Sequence, residues 1–282
     1  MKPDTVSIVG GLGRMGALMA RIFRQAGLEV AIHDAAHRPI DWMEAARADL
    51  VLIAVPIPVV QEVIENLGPH TRPDGVVIDI ASLKEIPVKS MLEHCRGEVI
   101  GSHPLFGPAV SSLQDQIVFV HPARSEHWYP WFCAFLEERG ARVIDIEPAR
   151  HDRLMSRVQL LRHLFLFCFG RSLMRLDFDL KDEMPLSGPW FKELVGMLDH
   201  QLGQAPELYA DLTVHNPAAE EVAGEFLKAA DEVAGLFCMR DRSKIVELIN
   251  DVSSYLQTAA TGRGASPAPP TAGRLRTPEQ TA

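Results

Sequence analysis

Apolar residues in the first half of this chain fall into short runs, separated by stretches where they recur every three to four positions. The runs are VSIVG (Val6–Gly10), EVAIHD (Glu29–Asp34), DLVLIAVP (Asp49–Pro56), GVVIDIAS (Gly75–Ser82), EVIGSHP (Glu98–Pro104), QIVFVHP (Gln116–Pro122) and ARVIDIEP (Ala141–Pro148). Each predicts a strand. Several are almost continuously apolar, the pattern of parallel strands covered on both faces. Helical spacing fills Met15–Gln25, Val59–Leu67 and Pro87–His94, and again His127–Gly140, with Gly140 as its stop. Strand and helix in alternation predict an α/β fold with a doubly wound sheet.

After Pro148 the strand pattern ends. From His151 to about Gln257 the spacing is helical, broken at Pro185–Pro189, Gly203–Glu207 and His215–Glu220. This predicts an N-terminal domain over 1–150 and an all-α domain over 151–257. The first helix of the second domain is apolar on most sides, so it is expected to be buried, in part against a second subunit. The remainder, 258–282, is small, polar and rich in Pro and Gly, and is expected to be disordered.

Composition narrows the function. A formal charge of −9 argues against a general polyanion binder, because phosphate backbones need basic surface; no nucleic-acid partner is expected. The four cysteines, Cys95, Cys133, Cys168 and Cys238, form no CxxC pair, which fits neither zinc nor a disulfide framework, and no metal is expected. Reduced thiols, the lack of a signal-peptide pattern and the lack of a run of ~20 apolar residues point to a cytoplasmic protein with no membrane partner.

A glycine-rich turn supplies the first chemistry. Gly11-Leu12-Gly13-Arg14-Met15-Gly16 is a G-x-G-x-x-G that follows a strand run and opens a helix, with Gly10 before it. That context makes it a dinucleotide-binding, Rossmann-type fingerprint. Gly11 is expected to permit the tight turn, Gly13 the approach of a pyrophosphate, and Gly16 close helix–strand packing. The helix N-terminus offers free N–H groups and a positive dipole end to phosphate. Asp34 ends the second strand, where an acid accepts hydrogen bonds from ribose hydroxyls and repels a 2′-phosphate. NAD is therefore favoured over NADP, although His37 and Arg38 weaken the preference.

Two later strand ends carry reactive side chains. Ser82 and Lys84 follow the fourth strand and His103 closes the fifth, before Pro104 and the rigid FGP turn. A histidine there is a natural general base for the proton left when hydride departs, although a single histidine more commonly caps a loop. His121-Pro122 repeats the dipeptide at a later strand end. In the helical half, Gln159 and His163 are spaced i, i+4 on one helix face, with Arg162 within reach of the same cleft.

Taken in order, VGGLGRMG, AVPI, DIASLKEIP, GSHPLFGP, EHWYPWFCAFLEERGARV, HDRLMSRVQLLRH, LSGP and PELYADL resemble the prephenate dehydrogenase family from Val6 to about Leu256. The resemblance is to a stand-alone dehydrogenase, without chorismate mutase or ACT domains. It implies oxidative decarboxylation of prephenate to 4-hydroxyphenylpyruvate, on the route to tyrosine, by a homodimer joined through the helical domain. It implies that Val55 and Pro56 of AVPI border the cofactor. It further implies that His103 takes the ring-hydroxyl proton, Ser82 orients His103 or that hydroxyl, Lys84 supplies positive charge, and Gln159 and His163 touch substrate.

One departure stands out. Related proteins carry arginines on the helix after LSxP, where this chain has Lys192 and His200, which are poorer carboxylate clamps. Arg162 or Lys84 then holds the carboxylate, or the substrate is arogenate or 4-amino-4-deoxyprephenate. Two other readings stay open. One is an oxidoreductase of the β-hydroxyacid dehydrogenase kind using Lys181 or Lys192, and the other a silent NAD-binding sensor.

Overall fold

The computed structural model describes residues 2–261. One seven-stranded sheet organises the first half. Its strands are β1 (Thr5–Val9), β2 (Glu29–His33), β3 (Leu50–Ile53), β4 (Val76–Asp79), β5 (Glu98–Pro104), β6 (Ile117–Arg124) and β7 (Arg142–Asp145). The intervening helices are α1 (Arg14–Gln25), α2 (Trp42–Ala45), α3 (Val60–Leu67), α4 (Glu85–His94) and α5 (Trp128–Glu137). The strand order is β2-β1-β3-β4-β5-β6-β7, the doubly wound arrangement that the alternation predicted.

Side-chain alternation explains why β1, β3 and β4 read as unbroken apolar runs. Ile8, Leu52, Ile78 and Ile100 face one core with α1 and α5, among them Phe23 and Phe132. Val9, Val51, Ile53, Val77 and Val99 face the other core with α3 and α4, among them Ile64 and Met91. Each fully buried side chain of this size contributes about 1.5–3 kcal/mol, so both faces anchor the strand ends that carry the site.

The direction of β6 was not legible in advance. β6 runs antiparallel to β5, with His103 opposite Phe119, and β7 runs parallel to β6. A parallel return needs a crossover element, usually a helix. The segment between β5 and β6, residues 105–116, is an irregular loop with no helix, closed by Leu105 N–H donating to Ile117 O at 2.9 Å. The chain can therefore only double back.

From Pro148 onward the described chain has no further strand. It comprises α6 (Pro148–Met155), a π turn (Ser156–Leu160), α7 (Leu161–Arg175), α8 (Pro189–Leu202), α9 (Pro206–Val214), α10 (Ala219–Met239) and α11 (Arg242–Thr261). Compact units divide at Gly224/Glu225, so α6–α9 group with the sheet. The second unit holds most of α10 and all of α11, and within this chain it exposes Leu227, Phe237, Ile249 and Tyr255. α11 continues through Thr261, past the predicted end at Gln257, with Thr258 Oγ1 donating to Ser254 O at 2.9 Å. The rest of the predicted disordered tail lies outside the described residues. No helix among the described residues is long and apolar enough to cross a membrane.

The helix expected to be buried is only partly so. In α7, His163 and Leu166 are buried, whereas Leu161 and Phe165 face outward. Phe167 and Phe169 pack on Tyr209 and Phe191, so the apolar face left open is that of Leu161 and Phe165.

Candidate active site

The glycine turn is built as a cradle. Gly10 adopts φ +82°, a left-handed conformation that side chains resist, and a Cβ there would meet Ala54 O at 2.4 Å. This corrects the reading of Gly11 as the residue that permits the turn: Gly10 makes the reversal. Gly11 is instead confined by packing, since a Cβ would lie 2.7 Å from Ile32 Cγ2. Gly16 brings α1 onto the turn, with a Cβ there only 2.3 Å from Gly10 O. Gly13 is the N-cap of α1 and provides no side-chain cap, and no acid occupies the first turn. The leading N–H groups and the positive end of the helix dipole are thus left for an anion.

The remaining predicted cofactor residues ring this cradle. Asp34 follows β2 and accepts Leu12 N–H on Oδ2 and Ala36 N–H on Oδ1, both at 3.0 Å. The Val55 side chain abuts Gly10, and Pro56 caps the short 3-10 turn after β3. Arg14, at the first position of α1, donates to Gln204 Oε1 at 3.2 Å, tying the turn to the α8–α9 connection. Met15 is half-buried against the core. Arg38, which a 2′-phosphate would need, pairs with Glu44 at 3.4 Å.

At the C-terminal ends of β4 and β5 the chain gathers a buried polar cluster. His103 closes β5 and is buried. Its Nδ1 lies 2.9 Å from Nε2 of His151, in α6. His151 Nδ1 in turn lies 2.7 Å from Asp152 Oδ1. The carboxylate can only accept, so His151 donates from Nδ1, and as a neutral ring it offers Nε2 as acceptor. His103 must then donate through Nδ1. Its Nε2 keeps the lone pair. The network assigns this tautomer. Burial, then His151 and Lys84, hold the His103 pKa well below the ordinary 6.5, so the ring is neutral at neutral pH.

Asp152 is fixed as tightly as the histidines. Its two carboxylate oxygens accept the backbone N–H groups of Lys84, at 2.8 Å, and Glu85, at 3.0 Å. A residue of α6 thereby caps α4 from outside, which no local sequence rule would reveal. Asp79, at the end of β4, is paired with Lys84 Nζ, and both side chains are essentially inaccessible. Burial pushes the Asp79 carboxyl up and the Lys84 ammonium down, and each partner opposes the other's shift. Gly101 lies opposite Asp79 in the sheet, and a Cβ there would strike Val88 Cγ2 at 2.6 Å.

Ser82 is half-buried in the β4–α4 turn, and among the described residues its hydroxyl makes no hydrogen bond to His103. Within the chain the side chain in contact with His103 Nδ1 is His151. Neither His151 nor Asp152 was singled out from the sequence, although the adjacent His-Asp pair behind Pro148 was a visible signal.

In the helical half, His163 is buried and its Nε2 accepts from Arg162 Nη2 at 2.9 Å. Burial, with Arg162 beside it, lowers the His163 pKa to about 4. Accepting at Nε2 puts the ring proton on Nδ1, a buried donor with no partner among the described residues. Tyr209 packs edge-on against this ring at 4.8 Å. Gln159 sits half-buried within the π turn, whose wider winding departs from the i, i+4 geometry assumed for Gln159 and His163. Lys192 and His200 are exposed on α8, and no hydrogen bond, ion pair or ring contact joins either side chain to this group. Lys181 is likewise exposed, in the turn before α8.

Known proteins resemble this chain in sequence and in fold. The family model described as "Prephenate dehydrogenase, nucleotide-binding domain" matches residues 20–145, and "Prephenate dehydrogenase, dimerization domain" matches 147–251. A "Probable arogenate/prephenate dehydrogenase" of Methanocaldococcus jannaschii is 32% identical over 93% of this chain. This chain spans 63% of that relative's length. A "T-protein" of Enterobacter agglomerans is 31% identical over 89% of this chain and 67% of its own length. Among solved structures, the Aquifex aeolicus prephenate dehydrogenase in complex with hydroxyphenyl propionate and NAD+ shares the fold, with a TM-score of 0.70 at 19% identity, covering 92% of this chain and 99% of that one. The chain belongs to the prephenate dehydrogenase family.

Proposed function

We propose that this chain is an NAD-dependent dehydrogenase that oxidatively decarboxylates prephenate to 4-hydroxyphenylpyruvate. The observation that carries the reading is the chain of contacts from Asp152 through His151 to His103 Nδ1, which supports a tautomer bare at Nε2 at the end of β5. The glycine cradle fits a dinucleotide: the close approaches at Gly10 and Gly16, the uncapped α1 and Asp34 all suit a pyrophosphate and a ribose diol. Arg38, paired with Glu44, favours NAD over NADP. Bound NAD would supply the hydride acceptor.

The side chains then divide the work. His103 Nε2 accepts the proton of the ring hydroxyl as that oxygen becomes a carbonyl. His151 and Asp152 keep the ring in this tautomer and stabilise the positive charge it gains. Ser82 is free to donate to the ring oxygen. The unpartnered Nδ1–H of His163, with Gln159 and Arg162, serves the substrate's anionic groups, and Lys192 and His200 have the lesser part. Residues 1–150 are the cofactor domain and 151–257 the substrate and dimerisation domain.

A second reading has one observation in its favour. A Streptomyces pristinaespiralis relative named "4-amino-4-deoxyprephenate dehydrogenase" is 29% identical over 75% of this chain. Absorbance at the NADH band with prephenate, arogenate and 4-amino-4-deoxyprephenate, each with NAD and NADP, separates the possibilities. The highest kcat/KM is expected for prephenate with NAD. A higher value for either amino substrate reassigns the substrate, and preference for NADP overturns the role given to Asp34.

The outward apolar faces of α7 and, separately, of α10 and α11 support a homodimer joined through the helical region. Light scattering at micromolar concentration is expected to give twice the chain mass, and a monomer mass would refute it.

A further inference from the structure

Behind the relay lies a cavity of about 430 Å³ that the proposed reaction does not use. That volume falls within the range of small-molecule sites, roughly 300–1,000 Å³. Its apolar floor is Phe119 of β6, Ile144 of β7 and Leu154 of α6, and its wall is Arg150, Arg153 and Arg157. The arginines follow one another at i, i+3 and i+7, and so share one face of α6 and its π-turn extension. Among the described residues, none of the three guanidinium groups makes an ion pair with a carboxylate, and Arg153 acts on Glu147 only at longer range. Glu147, at the start of α6, is committed to capping Ala149 and Arg150 N–H at 3.0 and 2.9 Å. Asp145 also borders the cavity, with its Oδ1 3.4 Å from His121 Nδ1.

Three exposed arginines border this apolar floor in a chain of net charge −9. Their summed positive field favours an anion over the floor. Guanidinium forks match carboxylate geometry, and the floor matches a hydrocarbon or aromatic body. We propose that this cavity is a second ligand site, separate from the cofactor cleft, for a small amphipathic carboxylate. The site also touches the catalytic apparatus. The Phe119 ring stands edge-on to His151 at 5.3 Å, and its backbone pairs with His103. A ligand pressed on the far side of Phe119 therefore acts on the residue that orients the base, which makes this an effector site.

Calorimetric titration of the full chain with phenylacetate tests the assignment, with inorganic phosphate and uncharged 2-phenylethanol as controls. Phenylacetate is expected to bind, and each control to bind about tenfold more weakly or not at all. Affinity should fall about tenfold for each arginine removed in Arg153→Ala and Arg157→Ala, the scale of one charge-assisted hydrogen bond. It should be unchanged in His163→Ala, which alters the cleft instead. Loss of binding in His163→Ala with retention in the arginine variants would place the ligand in the cleft and overturn the proposal. So would a change of oligomeric state in the arginine variants, which would mean that the cluster grips another chain. Because the readout is binding, the result does not depend on which substrate the enzyme oxidises.

Discussion

Replacing His103 by asparagine is expected to lower turnover on prephenate by about 10²–10⁴-fold, the range for a positioned general base, while NAD affinity stays unchanged. Asparagine retains a donor that can face His151 but has no basic nitrogen where Nε2 stood. The loss should fall on kcat more than on KM, since proton transfer occurs only in the transition state. The pH profile adds a sharper requirement. Burial holds the His103 pKa well below 6.5, and the neutral form is the active one. Activity is therefore fully present above the ordinary histidine range and falls only as pH drops through the depressed value. In kcat/KM the acidic limb due to this base should lie below pH 6.5 and vanish in the variant. Near-normal kcat in His103→Asn would remove this residue from the mechanism.

Asp79→Ala is expected to destabilise the fold by about 3–5 kcal/mol, because it strands the Lys84 ammonium in a site with almost no access to water. Lys84 would respond by losing its proton, its pKa already lowered by burial. Removing both charges is a different matter. Asp79→Asn with Lys84→Met leaves no buried charge and should recover most of the stability, since replacing both partners of a buried pair is often neutral. Urea unfolding of the single and double variants measures this directly. A single variant within about 1 kcal/mol of the parent would mean that the pair is solvated and its burial misassigned. The double variant also isolates what Lys84 does for chemistry, because its charge lies close enough to depress the basicity of His103.

The parts of the site legible in the sequence are those fixed by local rules. The glycine turn is one, because a left-handed φ at Gly10 and a helix pressed onto the turn at Gly16 leave no room for other residues. The strand ends are another, since continuous apolar runs stop where the sheet stops, and His103, Lys84 and Asp34 stand there. What local pattern cannot encode is contact across the chain. Asp152 caps α4 through Lys84 and Glu85, and His151 reaches His103, yet neither arrangement has a period or a spacing. The burial of Lys84 was invisible for the same reason: its partner Asp79 ends a strand that already reads as apolar. The π turn at Ser156–Leu160 carries no breaker residue, so the widening that sets Gln159 was hidden.

Nitrogen-15 NMR of the histidine-labelled protein at neutral pH tests the account at its centre, with the His103 signals assigned by their disappearance in His103→Asn. The result expected is a neutral ring protonated at Nδ1 and bare at Nε2. A ring protonated at Nε2, or at both nitrogens, would leave no base at the end of β5 and would contradict the proposed mechanism.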